Sequence, residues 1–180
     1  MSRAYFYPHR TQGFAYDCGA TAVLTVLQYY GYTNDKLNEQ SVFDAIGTNL
    51  DGTDNVGIES GLQKLGVAFE RVTNLQDLDR HLDEGHPVVV CACTYPNDWH
   101  YMVMIAREDS SYIVSDPWSV NLSRVPVSVF DAVWYDQDDE EFKRWGVAVM
   151  GEAKYHGGIT PMDVKLAQIA ERVARNVVGR

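Results

Sequence analysis

Residues 12–31 read Q-G-F-A-Y-D-C-G-A-T-A-V-L-T-V-L-Q-Y-Y-G. Ala20, Val23, Leu24, Val26, Leu27 and Tyr30 leave few polar positions after Cys18, the pattern of a helix buried on most of its sides. Gly31 suits its end. Asp17 is a residue type that caps helix N-termini, which puts Cys18 in the first turn. A sulfur there faces unpaired backbone N–H groups and the positive end of the helix dipole, and both favour the thiolate, the nucleophilic form. Gly19 adds no side chain beside it and is read as room for an approaching substrate. Gln12, six positions earlier, is placed to turn its amide N–H toward the same spot and to form an oxyanion hole with the backbone N–H of Cys18. Taken alone, a helical cysteine is a small apolar core residue. The nucleophile reading needs chemical partners elsewhere in the chain.

Composition narrows the partners. A chain of 180 residues is long enough for one domain with a sizeable core. Acidic residues outnumber basic ones by 25 to 15, for a formal charge of −10, so nucleic acid and anionic membrane surfaces are repelled. The three cysteines have no disulfide-framework spacing, and the start M-S-R-A-Y-F-Y-P lacks the apolar core of a secretion signal. Both point to a reducing cytoplasm. No apolar run approaches the ~18 residues of a membrane span.

Further along, T-N-D-K-L-N-E-Q-S-V-F-D-A-I predicts a second helix capped at Asn34 or Asp35, and Ile58–Leu65 a third, closed by Gly66, after a loop at 48–57. The period then changes. Val67–Val72 alternates as a strand, Leu75–Asp83 is a short helix, and the V-V-V-C-A-C-T-Y run after Gly85-His86-Pro87 suits a central strand. His100–Arg107 and Tyr112–Ser115, joined by the turn E-D-S-S, predict an antiparallel hairpin. Pro126–Trp134 reads as a short helix, D-Q-D-D-E-E as a solvated run, and Gly146–Met150 as an edge strand.

The hairpin supplies the partners. His100 begins one strand and Asp116 follows the other, so an antiparallel pairing lays the imidazole beside the carboxylate. A thiol at a helix start, a base on a facing sheet and a carboxylate that orients the base follow the triad logic in its cysteine form.

Q-x5-C-G at Gln12–Gly19, H-Y-x-V at His100–Val103 and D-P-W at Asp116–Trp118, in this order, resemble the papain-like cysteine peptidases. They are most similar to the small domains that cleave bacteriocin leader peptides after a double glycine. E-G-H-P-V-V-V at 84–90 resembles that family's entry into its central strand. The resemblance covers roughly residues 10–150. It implies an α+β papain-like fold, an N-terminal helical part packed on a C-terminal antiparallel sheet. It further implies Gln12 as oxyanion residue, Cys18 as nucleophile, His100 as base, Asp116 as orienting acid and Trp118 as a shield over the acid–histidine bond. The implied activity is hydrolysis of a peptide or isopeptide bond through a thioester, with no metal or organic cofactor. Two alternatives stand beside it: an acyltransferase using the same triad, and a non-catalytic module that holds peptides in the same groove.

Other residues are read as structural. Cys91 and Cys93 share a strand face without further metal ligands nearby in sequence, which favours core packing. His9, His81 and His156 lack a chemical neighbour in sequence and are taken as exposed, and His86 as a loop residue; Asp98 and Trp99 border the cleft. Residues 1–150 are expected to form the peptidase domain and 151–180 an extension. There Met162, Leu166, Ile169, Val173 and Val177 recur at helical spacing. The domain's own surface is the first home for that stripe, and self-association or a partner protein the second.

Overall fold

Alternating burial along two long strands sets the architecture. β3 (Val88–Tyr95) and β4 (Asp98–Glu108) pair antiparallel. Their odd-numbered Val89, Cys91, Tyr101, Val103 and Ile105 join one apolar cluster, and their even-numbered Val88, Val90, Ala92, Met102 and Met104 another. A strand buried on both faces needs cover on both. The first cluster is completed by α1 (Cys18–Tyr29), α2 (Glu39–Ile46) and α3 (Asn55–Lys64), through Val23, Val26 and Leu27, Val42 and Ile46, and Ile58 and Leu62. The second is completed by α4 (Leu75–Asp83) and α5 (Val127–Val133), through Leu78, Leu82 and Phe130.

In this computed structural model, residues 5–32, 38–95, 98–135, 144–152, 154 and 160–161 are described. The sheet has six strands in the order β2 (Phe69–Val72), β7 (Gly146–Val149), β3, β4, β5 (Ser111–Ser115) and β6 (Ser123–Pro126), each paired antiparallel with its neighbour. A separate two-stranded ribbon joins β1 (Tyr5–Phe6) to β8 (Thr160–Pro161). The α+β class, with helices first and an antiparallel sheet after them, is as the sequence predicts.

Several local expectations are corrected. The second helix is capped by Asn38, whose side chain accepts from the Ser41 N–H while the Ser41 hydroxyl receives the Asn38 N–H, so the cap is neither Asn34 nor Asp35. The third begins at Asn55, three residues early, because the Asp54 carboxylate receives the Gly57 N–H. Gly146–Val149 is no edge strand: it lies between β2 and β3 with all four residues buried. Between β5 and α5 the sheet gains β6, which the sequence reading missed. The acidic run at 136–141 and the apolar stripe from Met162 to Val177 lie outside the described residues.

Candidate active site

Cys18 is the first residue of α1 and is half-buried at its mouth. Its side chain borders a cavity of about 610 Å³ whose lining includes Leu50, Thr53, Val56, Trp99 and Tyr101. Trp99 and Asp98 therefore border the cleft as read from sequence. The cavity has a built floor: Tyr101 donates its hydroxyl to Asn55 Oδ1 at 2.8 Å.

Asp17 precedes the helix but does not cap it. At φ −105°, ψ 13° its carboxylate points back along the chain, where Oδ2 receives the N–H groups of Gly13 at 3.0 Å and Phe14 at 3.2 Å. The buried carboxylate thus holds the loop that carries Gln12. Gly19 is also not open space. A methyl there would stand 3.0 Å from Thr53 and 3.2 Å from Tyr101, so the helix start packs closely on the cavity wall and any side chain would push that wall back by a few tenths of an ångström.

Across the cleft, His100 is buried at the start of β4. Its Nε2 lies 2.7 Å from Asp116 Oδ1, which leaves Nδ1 for the Cys18 side chain close by. The register explains the first contact. The far half of the hairpin pairs Arg107 with Tyr112; continued unchanged, it would set Asp116 opposite Val103, on the wrong face. A shift between Met104 and Ala106 pairs Val103 with Ser115 instead, so the next position opposite Asp116 is Met102, on the face of His100.

The electrostatics follow from these bonds. Burial opposes charge on His100, but the hydrogen bonds to Asp116 and Cys18 and the charges of both outweigh it, and its pKa is pushed up to about 9. For Asp116, burial works upward, yet the bonds from His100 and from the Trp118 backbone N–H hold its pKa below the usual carboxylate value. That N–H donates to Oδ1 at 2.9 Å, and the Trp118 ring stands edge-on to His100 at 5.6 Å, covering the acid–histidine bond from one side.

The loop and the turn are tied to each other. The Gln12 N–H donates to the Pro117 carbonyl at 2.9 Å. Gln12 Nε2 donates to the Phe14 carbonyl at 2.6 Å, and its Oε1 is buried without a partner, so its amide is not turned wholly toward the sulfur as the sequence reading expects. His9, expected to be exposed, is half-buried and braces the same turn. Its Nε2 donates to the Ser119 carbonyl at 2.7 Å and its Nδ1 contacts the Ser115 hydroxyl at 2.8 Å. No sequence signal announces these contacts, because the partners lie 106 and 110 residues away.

A half-buried thiol at a helix start, an imidazole beside it that is bonded to a carboxylate, and a helical layer on an antiparallel sheet together define the class of papain-like cysteine peptidases. Residues 7–137 match the model of the Peptidase C39 family, and the chain belongs to that family. The Lactococcin-G-processing and transport ATP-binding protein LagD of Lactococcus lactis subsp. lactis is 25% identical over 118 residues, 66% of this chain. The chain spans 16% of that relative's length. Among solved structures, the peptidase domain of Streptococcus ComA, a bi-functional ABC transporter involved in a quorum sensing pathway, is similar with a TM-score of 0.66 at 23% identity, covering 81% of this chain and 98% of that one. A double glycine motif protease from an AMS/PCAT transporter, solved with the leader peptide, is similar with a TM-score of 0.59 at 16% identity, covering 83% of this chain and 95% of that one. Both structural likenesses are likenesses of fold.

Proposed function

We propose that the protein is a cysteine peptidase acting on a leader peptide that ends in a double glycine, with Cys18 as nucleophile, His100 as acid and base, Asp116 as the carboxylate that holds His100, and Gln12 as an oxyanion donor. The observation that carries the reading is the imidazole of His100, bonded to Asp116 at 2.7 Å and close enough to the Cys18 side chain for the two to shift each other's charge. The substrate class rests on the processing relative and the leader-bound protease named above, and the cavity beside Cys18 offers apolar walls at Leu50, Val56 and Trp99 for the residues before the scissile bond.

With its pKa near 9, His100 holds a proton at neutral pH, and a charged ring beside the sulfur is the partner a thiolate needs. The sulfur attacks the scissile carbonyl and forms the S–C bond. The backbone N–H of Cys18 and the second N–H of Gln12 Nε2, the first being used on Phe14, receive the oxyanion. The C–N bond then breaks as His100 gives its proton to the leaving amine. Water, losing a proton to His100, attacks the thioester, the C–S bond breaks to return the thiolate, and the acid released gives its remaining proton to solvent to leave as the carboxylate.

The test is cleavage of a synthetic leader joined through Gly-Gly to a short core peptide, read by mass spectrometry. The wild type is expected to cut after the second glycine, and Cys18→Ala to lose on the order of 10⁴-fold or more in rate. Cleavage that survives Cys18→Ala, or an intact peptide with the wild type, overturns the reading. Free amine added to the assay separates transfer from hydrolysis, since an acyltransferase yields the amide in place of the acid.

A further inference from the structure

His81, taken from sequence as an exposed histidine, is fully buried. It lies in the last turn of α4. Gly85, at φ +80°, reverses the chain, and the His86 N–H donates to the His81 carbonyl at 2.8 Å. This turn brings the two imidazole rings within 5.8 Å, centroid to centroid. Both Nδ1 atoms are buried without a hydrogen-bond partner. Leaving such groups unpaired in the interior is costly, so the arrangement favours a partner beyond the hydrogen bonds that the neighbouring side chains make. Glu84 Oε2 stands 4.0 Å from His81 Nδ1 and 3.5 Å from His86 Nδ1. Among the described residues, this is the group of histidine, cysteine and carboxylate side chains whose ligand atoms all fall within 4.8 Å of one another.

We propose that His81, Glu84 and His86 form a binding site for a divalent transition-metal cation of the zinc type. Two imidazole nitrogens and one carboxylate oxygen are a donor set that zinc takes, with the fourth position open to water on the side where Glu84 is exposed. Tetrahedral ligands at ~2.0–2.1 Å from the ion lie about 3.3 Å apart, so the three atoms close on it by small side-chain movements. Glu70 provides the outer support. Its Oε2 lies 3.3 Å from His81 Nε2, which here accepts an N–H from the Arg80 guanidinium at 3.0 Å; metal binding through Nδ1 moves the ring proton to Nε2, where Glu70 accepts it as Arg80 turns away.

One charge opposes the cation. The Arg80 guanidinium lies 3.0 Å from His81 Nε2 and 3.5 Å from Glu84 Oε2. It also lies 3.4 Å from Glu70 and 3.8 Å from Asp77, so it retains two carboxylates when Glu84 turns to the ion. The site is remote from the cleft. His86 is two residues before Val88, and Val88 is four residues along β3 from Ala92, the partner of His100, a run of about 13 Å. The ion's role is therefore structural: it staples the end of α4 to the entry of the central strand.

The test uses the full chain, stripped by chelator, with Zn²⁺ for stability and Co²⁺ as a spectroscopic probe. Zn²⁺ at a hundredfold excess over Kd is expected to raise Tm by roughly 5–10 °C. Co²⁺ is expected to give the visible bands of a tetrahedral nitrogen–oxygen site, without the sulfur charge transfer that binding at Cys18 would give. Both effects are expected to vanish in His86→Ala and Glu84→Gln, whose side chains lie near the surface, and to persist in Cys18→Ala. No Tm rise and no Co²⁺ spectrum in the wild type overturns the proposal. Effects that survive in His86→Ala and Glu84→Gln, or that are lost in Cys18→Ala, overturn it equally.

Discussion

At the scale of single residues, His100 governs the pH behaviour. Burial disfavours its charged form, but Asp116 and Cys18 more than compensate and raise its pKa to about 9. A pKa raised on folding stabilises the native state fully below the unfolded value of about 6.5, and the gain is lost as pH rises through about 9. The proton that the proposed function assigns to His100 follows the same curve, so kcat/KM is expected to fall as pH passes about 9. Asp116→Asn removes the largest upward influence and is expected to move this alkaline limb down by a unit or more, toward the ordinary histidine value. A pH–rate profile with an unmoved limb contradicts the assignment of Asp116. The places of Cys18, His100 and Asp116 are legible in the sequence because each stands at or beside the end of an element whose period announces it. The contacts of Asp17, His9 and His81 are not. A carboxylate before a helix reads as a cap until its backbone angles turn it toward Gly13 and Phe14, and a histidine's burial depends on neighbours that sequence order does not supply.

At the scale of elements, two features decide whether those residues meet. The first is the register shift in the β4–β5 hairpin, which moves Asp116 onto the face of His100. Period-2 patterning gave both strands, but no residue of the hairpin marks where one extra position is absorbed. The second is the packing of the start of α1 on the Thr53 segment. Gly19→Ala places a methyl 3.0 Å from the Thr53 side chain and is expected to cost about 1–3 kcal/mol. That corresponds to a Tm lower by roughly 2–12 °C in thermal unfolding, and peptide cleavage is expected to weaken because Thr53 lines the cavity beside Cys18. Unchanged Tm and activity contradict the packing role. β7 shows another limit of sequence reading: its four residues read equally well as an edge, and only the partners on either side, β2 and β3, make it interior.

At the scale of the molecule, the sheet is a wall between two apolar clusters, and the candidate site lies where the helical layer meets one end of that wall. The first layer brings the thiol and the Gln12 loop; the sheet brings the imidazole and the carboxylate. The Gln12–Pro117 hydrogen bond ties the two contributions together. The division into a domain over 1–150 and an extension beyond it remains a proposal, resting on the family match at 7–137 and the apolar period of the tail. In the proposed function the two layers make one chemical unit of Cys18 and His100. The rate of Cys18 alkylation by iodoacetamide at mildly acidic pH, followed by peptide mapping, tests it most directly. Cys18 is expected to react ahead of the buried Cys91 and Cys93, and its rate to fall at least tenfold in a folded His100→Ala variant. Equal rates at Cys18 with and without the imidazole would contradict it.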